Sequence, residues 1–280
     1  MIRLIPTVAG LRAALAVLKS FDGKGGRIAL VPTMGALHDG HVALVRAARQ
    51  KSDHVVVSIF VNPTQFAPGE DFESYPRSLD ADLTKLDGLA DLVFAPGARE
   101  MYPQGHATSV TVGGPGAGLE SDCRPPFFAG VATVVAKLLF AAMPDIAVFG
   151  EKDYQQLLVV RRLARDLAPG VEIIGHPTLR EADGLALSSR NAYLSPDERK
   201  VAARLNLILK EAGAQARLGD LRAAEHSAMR ALLDAGFDGV DYVAIRDAET
   251  LAEIADLKKP ARILAAARVG RTRLIDNFAV

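Results

Sequence analysis

Apolar residues follow two rhythms along this chain. Nearly unbroken apolar runs recur at Arg27–Val31, His54–Val61, Asp91–Ala95, Asp145–Phe149 and Val171–Ile174, as expected for strands covered on both faces of a parallel sheet. Between them, apolar positions return at helical spacing. One such stretch runs from Thr7, a natural cap, to about Ser20, with Leu11, Leu15 and Leu18 on one face. Others cover Val42–Arg49, about Leu79–Leu89, Ala129–Met143 and Asp153–Leu167. This β-α-β-α order predicts an α/β fold: a doubly wound parallel sheet with right-handed crossovers.

The intervening segments refine the picture. Asp22–Gly26 breaks the first helix, and Ala67–Arg77 is a long polar loop of the kind that serves as a functional loop or lid. Thr108–Val112 alternates and predicts an edge strand, while Gly113–Phe128 reads as irregular. Beyond Pro177 the texture changes. Ser195-Pro196-Asp197-Glu198 opens a helix to about Ala212, a second helix covers Asp220–Ala235, and strands follow at Val240–Ile245, Arg262–Val269 and Thr272–Ile275. The order is now α+β, which places a first domain at 1–177 and a smaller one at 178–280. There is no internal repeat and no low-complexity tract.

With 280 residues, 49% apolar and 24% charged, the chain can bury a full core. Its 33 Lys and Arg balance 33 Asp and Glu, so nucleic acid and membrane surfaces are not expected partners. Cys123 is the single cysteine, which leaves no internal disulfide and no cysteine-rich zinc site. The first residues lack a signal-peptide core, and no run approaches the roughly 18 apolar residues of a membrane span. These features together predict a cytoplasmic protein.

Candidate chemistry gathers in four segments. Val31-Pro32-Thr33-Met34-Gly35-Ala36-Leu37-His38-Asp39-Gly40-His41 joins a strand to a helix, where α/β sheets bind anions. Two imidazoles there suit a phosphorus centre, since their N–H groups can follow charge onto phosphate oxygens; one such donor is worth roughly 3 kcal/mol in a transition state. Gly40 admits a base or phosphate close to the backbone. Surface histidines or a metal pair are the plainer readings, and no third metal ligand is evident nearby. Gly150-Glu151-Lys152-Asp153-Tyr154-Gln155-Gln156 also leaves a strand for a helix. Lys152 can neutralise phosphate there, Asp153 can cap the helix or face a ribose or metal, and Gln156 can meet hydroxyls. Leu187-Ser188-Ser189-Arg190-Asn191 offers short donors and a guanidinium fork for phosphate oxygens. In Asn62-Pro63-Thr64-Gln65-Phe66, Gln65 stands at a strand end and can read a hydroxyl or carboxylate. Asp80 and Asp82 form a possible outer Mg²⁺ ligand set, or simply compensate a helix dipole.

Together, Pro32–His41, Ser58–Phe66, Gly150–Gln156 and Arg180–Asn191 resemble pantothenate synthetase (pantoate–β-alanine ligase), in order over about residues 25–200. The His-x-Gly-His element alone points only to the nucleotidylyltransferase superfamily. The resemblance implies a Rossmann-like ATP domain, a smaller C-terminal lid domain, a homodimer and Mg²⁺ used with ATP. It implies that pantoate attacks ATP to give a pantoyl adenylate and diphosphate, and that β-alanine then takes the acyl group to give pantothenate and AMP.

By matching motif, the resemblance assigns ATP contacts to Met34, Gly35, Ala36, Leu37, His38, Asp39, Gly40 and His41. It adds Gly150, Glu151, Lys152, Asp153, Leu179, Leu187, Ser188, Ser189 and Arg190. His41 is the residue such enzymes treat as their acid, His38 partners it, and Lys152 and Arg190 complete the catalytic set as countercharge. Gln65 and Gln156 hold pantoate, with Gln65 also near β-alanine. Arg124-Pro125-Pro126-Phe127-Phe128 departs from the family's Arg-Pro-Gly-His-Phe, so that histidine's role does not transfer. Ser121 and Leu187 replace a usual Gly and Met, and Arg124 is retained. Two other readings remain: a nucleotidylyltransferase acting on a phosphate ester, and a non-catalytic nucleotide sensor.

Overall fold

A computed structural model describes residues 2–21, 26–67 and 69–280. The first half alternates strand and helix: β1 (Arg3–Ile5), α1 (Val8–Phe21), β2 (Ile28–Thr33), α2 (Asp39–Arg49), β3 (His54–Ile59), α3 (Leu79–Leu86), β4 (Leu92–Phe94) and the short α4 (Ala98–Met101). After another short helix, α5 (Glu120–Cys123), come α6 (Phe127–Ala142), β5 (Ile146–Gly150), α7 (Tyr154–Leu167) and β6 (Glu172–His176). The second half holds α8 (Pro196–Ala202), α9 (Arg204–Ala216), α10 (Leu221–Asp234), β7 (Gly239–Asp247), β8 (Ala261–Val269) and β9 (Thr272–Ala279).

The first six strands form one parallel sheet in the order β1-β4-β3-β2-β5-β6. The direction of winding reverses between β2 and β5, and such a reversal opens a crevice at the carboxyl ends of the strands. Alternate side chains explain the unbroken apolar runs. Ile28, Leu30 and Val56 join a core with α1, α6 and α7, whereas Ala29, Val31, Val55 and Val57 join another with α2 and Leu86 of α3. With both faces covered, no polar alternation survives. The α/β, doubly wound expectation therefore holds.

The last three strands form an antiparallel sheet, β7-β8-β9, backed by a third core from α8, α9 and α10. Ser195 opens α8 with a reciprocal capping box to Glu198, and Asp220 caps α10 through the Ala223 amide.

Several boundaries differ from expectation. The helix expected from Val42 starts at Asp39, because His38 and His41 build its cap. The single helix expected to Ala212 is two, parted at Ala203, whose amide turns back to Arg199 and Val201. No edge strand forms at Thr108–Val112. The Val110 amide bonds Thr133 Oγ1 on α6 at 2.9 Å, and Val110 and Val112 pack on the first core instead of pairing with a strand. The break expected at Asp22–Gly26 lies, Gly26 apart, outside the described residues, as does Pro68 in the polar loop.

Candidate active site

The turn after β2 is held from below. Gly35 and Ala36 both adopt positive φ, +82° and +50°, so successive amides can point the same way. Asp82 of α3, 1% exposed, accepts the Ala36 amide at 3.0 Å and the Leu37 amide at 2.8 Å. Lys85 donates to the Leu37 carbonyl. A Cβ on Gly35 would stand 3.1 Å from the Asp82 carboxylate, so glycine admits this support. Asp82 therefore acts beneath the turn and not as a group facing the cleft.

His38 and His41 then cap α2 reciprocally. The Gly40 amide donates to His38 Nδ1 at 3.1 Å, and the His38 amide donates to His41 Nδ1 at 3.3 Å. Accepting at Nδ1 places the proton of each neutral ring on Nε2. The ring centroids lie 4.1 Å apart. Burial lowers His41 to about 3, with the His38 and Lys152 charges adding to the effect. Burial, then Lys152 and Lys85, lower His38 to about 4. The free protein thus carries two neutral imidazoles at pH 7. Gly40 serves the cap as well, because a Cβ there would sit 2.8 Å from the His38 ring.

Across the switch point, β5 ends at Gly150 and a 3₁₀ turn, Glu151–Asp153, leads into α7. Asp153 makes no capping hydrogen bond, so that expectation is corrected. Its half-exposed carboxylate lies 3.8 Å from Lys152 Nζ. Gln155 points inward and binds the loop carbonyls of Pro115, Ala117 and Gly118, leaving Gln156 to face the cleft.

Gln65 ends the turn after β3. Its Oε1 accepts from Asn62 Nδ2 at 2.9 Å, which turns the Gln65 NH₂ group away from Asn62 as a donor. Over this side lies the polar loop. Glu70 takes two bonds from Arg124, each 2.6 Å, and Asp71 takes two from Arg190, at 2.9 and 2.8 Å. Burial works against the Glu70 charge, but Arg124 outweighs it and holds the carboxyl below its usual range. Tyr75 reaches Ser189 Oγ at 3.3 Å.

One cleft of about 940 Å³ gathers Met34, His38, Gly40, His41, Gln65, Gly150, Lys152, Asp153, Gln156, Leu179 and the Leu187–Arg190 loop. Gly35, Ala36, Leu37, Asp39 and Glu151 stand behind or beside this lining. Asp39 is exposed in the first turn of α2, and Glu151 is turned to Arg262 of β8 at 3.1 Å. Among the described residues no group of three acidic, histidine or cysteine side chains could cage a metal.

The second sheet contributes residues that sequence reasoning missed. Arg273 forks onto Glu120 at 2.8 and 2.7 Å, and Tyr242 donates to the same carboxylate at 2.8 Å. Asn277 bonds the carbonyls of Glu151 and Lys152. No local pattern marks these residues, since each acts across more than a hundred positions of chain.

The sequence profile described as Pantoate-beta-alanine ligase matches residues 3–279. Among curated relatives, a pantothenate synthetase of Mesorhizobium japonicum is 57% identical over 278 residues, 99% of this chain and 97% of its own. One of a Bradyrhizobium species is 55% identical over 280 residues, 98% of this chain and 99% of its own. Of solved structures, pantothenate synthetase from Thermus thermophilus superposes with a TM-score of 0.91 at 49% identity, covering 99% of both chains. Pantoate–β-alanine ligase from Francisella tularensis, complexed with "Beta-gamma ATP and Beta-alanine", gives 0.82 at 32% identity, covering 99% of this chain and 97% of that one.

Proposed function

The chain belongs to the pantoate–β-alanine ligase family, and from that premise we propose how its cleft joins the two substrates. The reaction is the ATP-dependent condensation of pantoate with β-alanine to give pantothenate, AMP and diphosphate through a pantoyl adenylate. A carboxylate resists amines at neutral pH, so an oxygen of pantoate first attacks the α-phosphorus and the bond to the β-phosphate breaks. The β-alanine nitrogen then forms the amide as the acyl–oxygen bond to AMP breaks and a proton leaves the amine.

His38 and His41 present their Nε2–H groups to the phosphates as neutral donors, so they follow charge during diphosphate loss without releasing a proton beforehand. Lys152 supplies positive charge from the opposite strand end. Arg190 does so once the phosphates replace Asp71. Ser188 and Ser189 add short donors, while Leu179 and Leu187 give apolar surface to the base. Gln65 donates to an acceptor of pantoate or β-alanine, and Gln156 completes the pantoate pocket. Serial placement of three substrates in one cleft supplies the rate.

Mg²⁺ belongs to this proposal as an ion brought by the nucleotide. A cleft without a carboxylate cage suits an ion held mainly by phosphate and water, and Asp153 is the half-exposed carboxylate placed to meet its water shell. Bound there, Mg²⁺ would offset phosphate charge. A homodimer and a cytoplasmic setting complete the reading. Phe140, Met143 and Leu167 are exposed apolar side chains that a partner would cover, and among the described residues no helix is long and apolar enough to cross a membrane. The division at 1–177 and 178–280 is proposed on the separate core behind the second sheet, with the later part as lid.

The observation that carries the site assignment is the convergence of His38, His41, Lys152, Gln65 and Gln156 on one cleft. With ATP, Mg²⁺ and pantoate, labelled diphosphate is expected to exchange into ATP without β-alanine, and His41→Ala to abolish that exchange in a folded protein. Exchange that requires β-alanine would overturn the free adenylate step, and normal exchange by His41→Ala would overturn the histidine's role.

A further inference from the structure

The turn that presents Lys152 is not secured by its own sequence. Neither Gly150 before the 3₁₀ turn nor Asp153 at the start of α7 provides a side-chain cap. Among the described residues, Lys152 has only the 3.8 Å approach to half-exposed Asp153 as an ion pair. A lysine stem has four rotatable bonds and no fixed fork, so where its ammonium stands depends on what holds the backbone.

That hold comes from the far end of the chain. Asn277 of β9 is 3% exposed. Its Nδ2 donates to the Glu151 carbonyl at 3.0 Å and to the Lys152 carbonyl at 2.8 Å. Its Oδ1 accepts from Arg262 Nε at 2.6 Å. Arg262 in turn reaches Glu151 Oε2 at 3.1 Å and stacks over the Tyr154 ring at 3.7 Å. Asn277 pairs with Leu264 across the β8–β9 ladder, so Arg262, two residues earlier, shares its face of the sheet. The amide cannot be reversed: the guanidinium requires an acceptor and the two carbonyls require donors. Only a primary amide satisfies all three within that space.

We infer that Asn277 is a positioning residue for Lys152, fixing from the second sheet the turn that aims the lysine at the nucleotide phosphates. The inference rests on the reading of Lys152 as a phosphate-binding group. Asn277 touches no substrate in this scheme. It sets where the ammonium stands, and Arg262 sets how the Asn277 amide faces.

A double-mutant cycle on ATP affinity tests this, using calorimetry on the full chain with Mg²⁺ and no pantoate. Asn277→Ala is expected to weaken ATP binding about tenfold, and Lys152→Gln by about tenfold or more. The double variant should bind within about twofold of Lys152→Gln alone, because the turn has nothing left to aim. The isosteric Asn277→Asp, which has no N–H for the two carbonyls, should bind no better than Asn277→Ala. KM for pantoate at saturating ATP should stay within about twofold of wild type in Asn277→Ala, whereas a general loosening of the cleft would raise it together with the ATP dissociation constant.

Full multiplication of the two single effects, or wild-type ATP binding by Asn277→Asp, would overturn the positioning role. Wild-type affinity in Lys152→Gln would instead overturn the reading of Lys152. If Asn277→Ala is too unstable to purify, Arg262→Met, which frees the amide oxygen, enters the same cycle with the same expectation and the same refuting outcome.

Discussion

The neutrality of the histidine pair is measurable without substrate. His38 falls to about 4 and His41 to about 3 in the fold, chiefly through burial, whereas an unfolded histidine titrates near 6.5. Below pH 6.5 the unfolded chain therefore takes up protons that the folded chain refuses. Stability is complete at pH 7 and above and declines as the pH falls, until the folded rings protonate near pH 4 and 3. Each ring held neutral withdraws up to ~1.4 kcal/mol per pH unit in this window. Between pH 6.5 and 5 that gives about 2 kcal/mol for His41, and about 1 kcal/mol for His38 after allowance for its greater contact with solvent. Urea unfolding at pH 7.5, 6 and 5 can compare the protein with the double variant His38→Asn/His41→Asn. Asparagine keeps an acceptor oxygen for each cap, so helix α2 retains its start. The wild type should lose about 3 kcal/mol more than the variant between pH 7.5 and 5. Nitrogen-15 spectra of the imidazoles should show both rings protonated on Nε2 alone down to pH 5. A ring that titrates near 6.5, or equal losses in the two proteins, would refute the neutral-donor reading and restore His41 as a candidate proton donor in the free enzyme.

Two further perturbations separate support from chemistry. Asp82→Ala strips the Ala36 and Leu37 amides of their buried acceptor. It should cost about 3–5 kcal/mol in a denaturant melt, as two charge-assisted bonds are lost, and should raise KM for ATP. A melt within about 1 kcal/mol of wild type would remove Asp82 from beneath the turn. Gly130→Ala would set a Cβ 2.1 Å from the Thr64 carbonyl oxygen and 3.1 Å from the Gln65 amide nitrogen. This backbone clash should destabilise by about 1–3 kcal/mol and raise KM for pantoate more than KM for ATP; equal effects on both would separate Gly130 from Gln65.

The parallel sheet was legible because its strands are covered on both faces, so apolar runs at His54–Ile59 and Ile146–Gly150 stand out against amphipathic helices. β1 escaped notice because only three residues form it and two are exposed. It owes its existence to pairing with β4, a long-range contact. The cleft's short-range half was legible for a similar reason. The His38–His41 turn and the Glu151–Asp153 turn each sit where a strand ends, and that junction is itself a local signal. Asn277, Tyr242 and Arg273 give no such signal. They are ordinary strand residues whose partners lie in the other half of the chain. Glu70 and Asp71 were hidden differently. They lie in a loop already marked as functional, but an acidic pair in a polar loop looks solvated until the two arginines are seen to grip it.

These long-range pairings determine which charge is free to meet a nucleotide. In the free protein Arg124 is matched by Glu70, Arg190 by Asp71, Arg262 by Glu151 and Arg180 by Asp276. Each pair is short enough to neutralise its arginine. Lys152 is different, since its carboxylate neighbour stands 3.8 Å away and is half exposed to water. Water screens such a pair heavily, so Lys152 keeps most of its field for an incoming anion. That same field helps hold His38 and His41 neutral and therefore keeps them as Nε2–H donors. In the proposed scheme one weakly paired lysine thus attracts the phosphates and reinforces the neutrality that burial imposes on the two histidines. Its position matters more than that of any paired arginine, which can exchange one carboxylate for a phosphate by swinging its side chain. Lys152 gains its effect from where its backbone is held, and the grip on that backbone passes through Asn277.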